Sequence, residues 1–296
     1  MSNVSPLQAN AFRRVVVAAH PQVKEALAEG RKVAAFLQKH GIEVYAGTLY
    51  EESLRQRVEH GQADLVIALG GDGTMLRAGH LCAPHGVPIL GINMGHFGFL
   101  IEVERDEWPN AMRQLLLGEA WLERRMMLAA ELCRAGEVIR RWDVVNEVVV
   151  SRGQYVRPIK VTAFVDDLLL ARYVADGLIA ATPTGSTAYA LAAGGPILPP
   201  ELRNILLMPV APHLSVDRAV VLSEGSTVVL EVGVQHEAVV SVDGHDPVAL
   251  QDGDRIHVRA NKFSLQFVRF RERGYFYRNL TSYMNWNPTV EKESHR

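Results

Sequence analysis

The chain has 296 residues, enough for two domains of ordinary size, and its composition (48% hydrophobic, 22% charged) is that of a globular protein. Disordered and collagen-like classes are thereby excluded. The formal net charge of −2 gives no general attraction to nucleic acid or to an anionic membrane, so we expect neither as a partner. Any phosphate site must therefore be a local arrangement.

Cysteine usage and the N-terminal sequence bear on the compartment. The two cysteines, Cys82 and Cys133, form neither a disulfide framework nor a zinc motif, which fits a reducing cytosol. The first residues lack an apolar signal core, and no apolar run approaches the length of a membrane span. We expect a soluble cytoplasmic protein, and we assign no protein residue to a metal site.

The first hundred residues alternate between strand and helix patterns. Strands are predicted at 15–19, 42–45, 65–69 and 88–92. Helices are predicted from Pro21 to about Leu37 and over 74–81. Such alternation predicts an α/β domain with a parallel sheet covered on both faces.

From about Met126 the pattern changes to short strands separated by turn residues, which favours an all-β sandwich. One helix, 186–193, interrupts these strands. Phe276, Leu280 and Met284 indicate a C-terminal helix. We expect an α/β domain over 1–105, a β-sandwich over 106–270, and a helix over 271–296 that packs on the first domain or on a neighbouring subunit. The predicted strands are 144–150, 159–165, 227–232, 238–242 and 255–258.

The glycine-rich loop 70–74, Gly-Gly-Asp-Gly-Thr, directly follows the strand 65–69. Loops at the carboxyl ends of parallel strands face the ligand crevice, and glycines let backbone amides approach a polyphosphate. Asp72 fits this setting if it accepts a proton from an attacking hydroxyl or binds magnesium. The alternative is a tight turn in which Asp72 caps a helix. Neither a Walker phosphate loop nor a dinucleotide fingerprint is present.

The segment 176–189, Asp-Gly-Leu-Ile-Ala-Ala-Thr-Pro-Thr-Gly-Ser-Thr-Ala-Tyr, is a strand that runs into a hydroxyl-rich turn and then a helix. Its hydroxyls offer donors and acceptors, and Tyr189 offers a flat face for a ring. The alternative is a well-capped helix start without a ligand. The hydroxyls belong to Thr182, Thr184, Ser186 and Thr187.

Asn146 and Glu147 form a polar pair inside the predicted strand 144–150. Neighbouring residues of a strand point to opposite faces, so one of the two should face inward and needs a partner. Ribose hydroxyls or an adenine amine would serve, and an internal hydrogen-bond network is the alternative. The segment 93–100 adds glycines and aromatic residues and indicates a hinge or connection.

Together these segments resemble the NAD kinase family in content and order, over roughly residues 65–285. The family pattern is a GGDG loop, an N-x-G-x-x-G-F segment, an Asn-acidic pair, and D-G-L-I-x-x-T-P-T-G-S-T-A-Y followed by G-G-P. The GGDG piece alone also resembles lipid kinases and phosphofructokinases, whereas the long TPTGSTAY run is highly specific. The matching segments here are 70–73, 93–99, 146–147, 176–189 and 194–196.

The resemblance implies an N-terminal α/β domain, a C-terminal β-sandwich and a homodimer or homotetramer that phosphorylates the adenosine-ribose 2′-hydroxyl of NAD. ATP with Mg²⁺ or another divalent cation would be the donor, and Asp72 the general base, with Gly71 and Gly73 in the phosphate loop. Asn146 and Glu147 would hold the ribose or nicotinamide end, and Asp176 the carboxamide side. Other residues implied to bind NAD or ATP are Arg77, Phe99, Arg157, Thr187, Ala188, Tyr189, Ala190, Leu191, Ala192, Asp243 and His245.

The sequence departs from many bacterial members at Val174, where they carry arginine; Arg172 lies two residues earlier. The preference between NAD and NADH is therefore open, as is that between ATP and polyphosphate. Two other functions remain as alternatives: a lipid kinase that uses the same loop, and a nucleotide sensor without catalytic activity. The polar pocket residues argue against the first, and the carboxylate retained in the loop against the second.

Overall fold

The chain forms two units, whose boundaries fall inside two long strands. A computed structural model describes residues 4–95, 98–213, 217–272, 274–278 and 280. Unit 1 combines Met1–Glu123 with Gln266–Arg296, and unit 2 is Arg124–Leu265. No helix in these ranges is both long and apolar enough to span a membrane.

Unit 1 is an α/β domain built on a mostly parallel sheet, as predicted. Its helices are α1 (Lys24–Lys39), α2 (Glu52–Glu59), α3 (Asp72–Cys82) and α4 (Trp108–Leu117). Its strands are β1 (Val4–Pro6), β2 (Arg14–Ala19), β3 (Glu43–Thr48), β4 (Leu65–Gly70) and β5 (Ile89–Asn93), with the start of β6 (Trp121–Arg134).

The order of the parallel strands determines where a ligand crevice lies. Strand β3 lies beside β2 on one side, and β4 followed by β5 on the other. The order therefore reverses between β2 and β4, and ligands of open α/β sheets bind outside the carboxyl ends of the strands at such a switch point. The carboxyl end of β4 is Gly70, so the glycine-rich loop begins at this point.

Two helices of unit 1 differ from the sequence prediction. Helix α1 begins at Lys24 rather than at Pro21, because the His20 amide donates to Leu69 O and extends the strand geometry, and a turn follows before Val23. Helix α4 was not predicted, yet it buries Trp108 and Met112 in the core of unit 1. Unit 1 accordingly extends beyond the expected boundary at residue 105.

Unit 2 is a sandwich of two antiparallel layers, which agrees with the predicted fold class. One layer contains β9, β10, β14, β17 and the hairpin of β6 and β7; the other has the order β13-β12-β11-β8-β15-β16. Both layers contribute side chains to one buried core, for example Val161 from one and Leu178 from the other. The bounds are β7 (Glu137–Val144), β8 (Glu147–Arg152), β9 (Ile159–Val165), β10 (Leu168–Ala175), β11 (Gly177–Ala181), β12 (Asn204–Val210), β13 (Val220–Ser223), β14 (Val228–Gly233), β15 (Ala238–Val242), β16 (Val248–Ala249) and β17 (Arg255–Arg269).

Two helices predicted in the second half of the chain are shorter than expected or only partly described. The predicted helix 186–193 is a 3₁₀ turn, Gly185–Thr187, followed by a single turn, α5 (Tyr189–Ala192). At the C-terminus, residues 275–278 and 280 are helical, and Met284 lies outside the described residues. The predicted strand 255–258 is only the start of β17, whose end belongs to unit 1.

Candidate functional site

The glycine-rich loop joins β4 to α3 with no intervening turn. Gly70 ends the strand, Gly71 is the N-cap of α3, and Asp72 is the first residue of the helix. A Cβ at Gly70 would lie 2.2 Å from Oγ1 of Thr74, so only glycine fits there. A Cβ at Gly71 or Gly73 would meet open space, and the first amides of a helix have no partner within that helix, so this N-terminus suits an anion.

Asp72 holds the neighbouring loop rather than capping its own helix. Its Oδ2 accepts a hydrogen bond from the Phe99 amide at 2.8 Å, and its Oδ1 accepts one from the Leu100 amide at 3.2 Å. A Cβ at Gly98 would lie 2.2 Å from Oδ1, so the carboxylate packs directly against that glycine. Backbone amides and a glycine thus fix the orientation of a partly exposed carboxylate.

The loop that contacts Asp72 is anchored at its start by Asn93. The Asn93 side chain is buried; its Nδ2 donates to Glu104 Oε2 at 3.0 Å, and its Oδ1 accepts from the Gly95 amide at 3.1 Å. Asn93 ends β5, beside Gly70 at the end of β4. The Asn93 of the N-x-G-x-x-G-F motif therefore holds the loop, and residues 96 and 97 of that motif lie outside the described residues.

Two other residues of unit 1 that were expected to bind nucleotide have protein partners. The Phe99 ring is buried and packs against Phe276, with ring centroids 6.5 Å apart. The exposed Arg77 on α3 places its guanidinium 4.9 Å from the centroid of the Tyr50 ring. Neither position tests the expected contact with adenine or phosphate, which stays a prediction.

In unit 2, Asn146 and Glu147 do not share a strand. The prediction of one strand over 144–150 is wrong, because the chain bends at 145–146 between β7 and β8. The bend is stabilised by Asp243, whose carboxylate accepts hydrogen bonds from the amides of Val145, Asn146 and Glu147 at 2.7, 2.7 and 2.9 Å. The Asp243 side chain thus stabilises the Asn146–Glu147 turn by binding the backbone amides of the turn.

Glu147 is a buried acid in a low-polarity setting. Burial raises the pKa of its carboxyl to about 8; the nearby charge of Asp243 adds to the rise, and a hydrogen bond from the Tyr189 backbone amide opposes it. Its Oε2 has no hydrogen-bond partner among the described residues. Near neutral pH the carboxyl is largely protonated, so it offers a hydrogen-bond donor as well as an acceptor.

The hydroxyl-rich turn uses most of its hydroxyls internally. Thr182 Oγ1 donates to Val145 O at 2.7 Å and accepts from the Gly185 amide, and Ser186 Oγ donates to Pro183 O at 2.7 Å. Thr187 Oγ1 donates to Thr184 O at 3.0 Å. The alternative of an internally bonded turn therefore describes these hydroxyls well.

The same turn packs against the Asn146 backbone. The Thr182 amide donates to Asn146 O at 2.8 Å, and a Cβ at Gly185 would lie 2.1 Å from that same oxygen. After the turn, Ala188 is half-buried, Tyr189 is exposed and Ala190 is fully buried, while Leu191 is half-buried and Ala192 exposed. The structure thus brings Asn146, Glu147, Asp243 and the start of α5 together.

Asp176 and Arg157 lie away from this cluster. In the pairing of β11 with β8, Ala181 is opposite Glu147 and Gly177 is opposite Ser151. Asp176 precedes Gly177, so it lies at the other end of β11, roughly 16 Å from Glu147 for five residues of strand. Asp176 forms an ion pair with Arg152, with Nε and Oδ2 3.1 Å apart. Arg157 is exposed in the connection that follows β8.

His245 completes the predicted set, and a few residues with structural roles were missed. His245 is exposed, and its carbonyl oxygen accepts a hydrogen bond from Ser241 Oγ at 2.8 Å. The partners of Asp72 (Gly98 and the Leu100 amide) and of Asp176 (Arg152) were not predicted. Gly98 had a signal, since it is the second glycine of the N-x-G-x-x-G-F motif; a backbone amide carries none. Within the described ranges, no group of three or more His, Cys, Asp or Glu side chains is placed to hold a metal.

Comparisons with known proteins match both halves of the chain. The model of the ATP-NAD kinase N-terminal domain matches residues 15–120, and that of the ATP-NAD kinase C-terminal domain matches residues 145–270. These are the α/β and β-sandwich parts of one class of kinase, and each match lies mainly within one of the two units.

Individual relatives agree with the domain matches. An NAD kinase of Chloroflexus aurantiacus is 38% identical over 271 residues, which cover 92% of this chain and 98% of the relative. An NAD kinase of Heliobacterium modesticaldum is 43% identical over 75% of this chain and 78% of its own. A yeast NADH kinase solved with NADH shares the fold, with a TM-score of 0.82 and 23% identity over 97% of this chain and 92% of its own. The chain belongs to the NAD kinase family.

Proposed function

We propose that this protein phosphorylates NAD at the adenosine-ribose 2′-hydroxyl, with ATP as phosphoryl donor and Asp72 as general base. Membership of the NAD kinase family supports the coarser part, a kinase that acts on NAD. The observation that supports the mechanism is the fixed Asp72 carboxylate at the N-terminus of α3, where the strand order of the sheet reverses.

The chemistry needs a proton acceptor and an anion site side by side. The 2′-hydroxyl gives its proton to Asp72 while its oxygen attacks the γ-phosphorus of ATP, and ADP leaves. The Phe99 and Leu100 amides fix the direction in which the Asp72 carboxylate faces, and we assign that carboxylate to the proton of the hydroxyl. General-base help of this kind contributes about 10²–10⁴-fold to the rate.

We propose that the amides of Gly71 and Gly73 contact the phosphates, since nothing lies near their Cβ positions and the helix dipole favours anions there. Arg77, four residues further along α3 than Gly73, would reach a phosphate by leaving Tyr50. Arg157 is assigned a phosphate contact by the family resemblance.

A divalent cation, Mg²⁺ in our proposal, accompanies ATP and neutralises phosphate charge. Mg²⁺ in kinase sites is held by substrate phosphates and one or two carboxylates, rather than by a cage of protein ligands. We assign the cation to the ATP phosphates and to no protein residue, since Asp72 is assigned to the proton of the hydroxyl.

For NAD itself, we propose that Asn146 and Glu147 bind the ribose or nicotinamide end. A protonated Glu147 with a free Oε2 suits hydroxyl and carboxamide groups. From the family resemblance we propose that Thr187, Ala188 and Tyr189, with the α5 residues Ala190, Leu191 and Ala192, contact the adenine and ribose. The resemblance also assigns an adenine contact to Phe99. Asp243 supports the Asn146 turn through its hydrogen bonds, and the family resemblance assigns a binding role to Asp243 and to His245, two residues further along the chain.

We propose a homodimer or homotetramer in the cytoplasm. Asp176 and Glu147 lie at opposite ends of paired strands, which supports a site that takes Asp176 from a neighbouring copy. The family resemblance assigns Asp176 to the carboxamide side.

Formation of NADP tests the proposal. Purified protein is incubated with NAD, ATP and MgCl₂, and NADP is detected with an NADP-specific dehydrogenase; diacylglycerol in place of NAD is the parallel reaction. We expect turnover with NAD as the acceptor and none with diacylglycerol. Phosphorylation of the lipid, or nucleotide binding without turnover in either reaction, would contradict the proposal.

A further inference from the structure

One residue, Leu100, connects Asp72 to a buried arginine. The Leu100 amide donates to Asp72 Oδ1 at 3.2 Å, and its carbonyl oxygen accepts a hydrogen bond from Nη1 of Arg269 at 2.9 Å. Arg269 is the last residue of β17 and its side chain is 1% exposed. The loop that orients the carboxylate is therefore itself held by a side chain from a distant part of the sequence.

Arg269 is immobilised on several sides. Its Nε donates to Glu123 Oε2 at 2.8 Å, and the Tyr275 hydroxyl donates to the same oxygen at 3.0 Å. The guanidinium carbon lies 4.5 Å from the ring centroid of Phe267 and 4.7 Å from that of Tyr275. A planar guanidinium can hold a carboxylate and a carbonyl at once in fixed geometry, which the ammonium of lysine does less well.

We propose that Arg269 is a positioning residue for Asp72: it fixes Leu100, and thereby fixes the orientation of the Asp72 carboxylate. This inference rests on the proposed role of Asp72 as general base. It adds that the rate of phosphoryl transfer depends on a buried cation that holds the Leu100 carbonyl. Small displacements of a reacting group are costly, because proton transfer needs the hydroxyl and the carboxylate in close contact.

A general structural role predicts something different. Removal of one partner from a buried ion pair destabilises a protein whatever the site does. Loss of stability alone lowers the amount of folded enzyme but leaves kcat per folded molecule and KM unchanged. Positioning instead lowers kcat while KM for NAD and ATP stays the same, since a side chain that is 1% exposed offers substrates no binding contact.

The test compares Arg269→Lys with Tyr275→Phe. Lysine keeps the charge but lacks the planar guanidinium that reaches both Glu123 and Leu100, so the contact with the Leu100 carbonyl weakens. Phenylalanine at 275 removes a hydrogen bond to the same Glu123 and leaves the bond to Leu100 in place. We expect kcat of Arg269→Lys to fall about tenfold to a hundredfold with unchanged KM. Tyr275→Phe is expected to keep the kcat of the wild type. Thermal unfolding of both variants normalises the rates to folded protein.

A second variant guards against misfolding. If Arg269→Lys does not fold, Glu123→Gln/Arg269→Met removes both buried charges while the Leu100 carbonyl still loses its donor; the same kcat loss is expected. Wild-type kcat in the folded variant, or an equal loss in Tyr275→Phe, would overturn the positioning role. Asp72→Asn is measured in parallel: if it keeps full activity, the proposed function itself fails, whatever the Arg269 variants show.

Discussion

Asp72 in unit 1 and Asp243 in unit 2 both accept hydrogen bonds from backbone amides, yet we assign them different roles. Each carboxylate accepts hydrogen bonds from consecutive backbone amides, two at Asp72 and three at Asp243. Asp72 begins a helix at the switch point of a parallel sheet, beside open glycine amides. Asp243 supports a turn and adds to the raised pKa of the buried Glu147. The two carboxylates therefore differ in their surroundings and not in their hydrogen bonds: Asp72 is the proposed general base, and Asp243 stabilises a turn.

The largest expected effect is on the free energy of unfolding, and it comes from replacing Glu147, the buried acid close to Asp243. Since the folded-state pKa of Glu147 is about 8 against an ordinary value of 4.5, the folded protein binds its proton more tightly than the unfolded chain. Stability is therefore lost as pH rises between these values. Glu147→Gln removes this loss. We expect the free energy of unfolding of the variant to exceed that of the wild type by roughly 4 kcal/mol at pH 8.5.

Urea unfolding at pH 5 and at pH 8.5 measures this difference. At pH 5 the difference in free energy of unfolding should shrink to about 1 kcal/mol, because the folded carboxyl is protonated and only the unfolded chain has begun to ionise. Equal stability of the two at pH 8.5 would show that Glu147 is ionised without penalty, and that Asp243 does not affect it.

Replacement of Asp243 comes next. Asp243→Ala leaves three amides of the 145–147 turn without their acceptor, and we expect a loss of roughly 3 kcal/mol in the free energy of unfolding. Asp243→Asn is the matched control: it keeps one acceptor oxygen and suits the positive φ of 48° at this position. Its loss should be clearly smaller. An unchanged free energy of unfolding in Asp243→Ala would mean that the turn forms without Asp243.

A smaller effect is expected at Gly98, which packs on Asp72. A Cβ there would lie 2.2 Å from Asp72 Oδ1 and push the carboxylate aside, so Gly98→Ala should lower kcat about tenfold. Gly95→Ala in the same loop meets no atom within 4 Å and should leave kcat unchanged. Equal kcat in both variants would show that the orientation of Asp72 at Gly98 is unimportant.

The sequence predicted those features that depend on residues close together in the chain. The strand before Gly70, the helix after Asp72 and the change from α/β to β texture follow from periodicity and turn residues. The helix α4 was missed, although Trp108, Ala111, Met112 and Leu115 follow a helical spacing. The bend at Asn146 could not be predicted, because its cause is a carboxylate 97 residues away.

The same limit applies to the site. Local motifs identified Asp72, the Asn146–Glu147 pair and the hydroxyl-rich turn, but not which polar atoms are used internally. The sequence offers Thr182 and Ser186 as ligand groups, whereas in the structure their hydroxyls donate to the Val145 and Pro183 carbonyls. The link from Arg269 to Leu100 spans 169 residues and has no signature in the sequence.

The most direct measurement is the turnover of Asp72→Asn with NAD, ATP and MgCl₂, alongside its affinity for NAD by calorimetry. Asparagine is similar in size and keeps one acceptor for the loop amides, but it cannot take the 2′-hydroxyl proton at neutral pH. We expect unchanged NAD affinity and a kcat lower by about 10²–10⁴-fold. A kcat near that of the wild type would contradict the account, because the proton would then leave by another route.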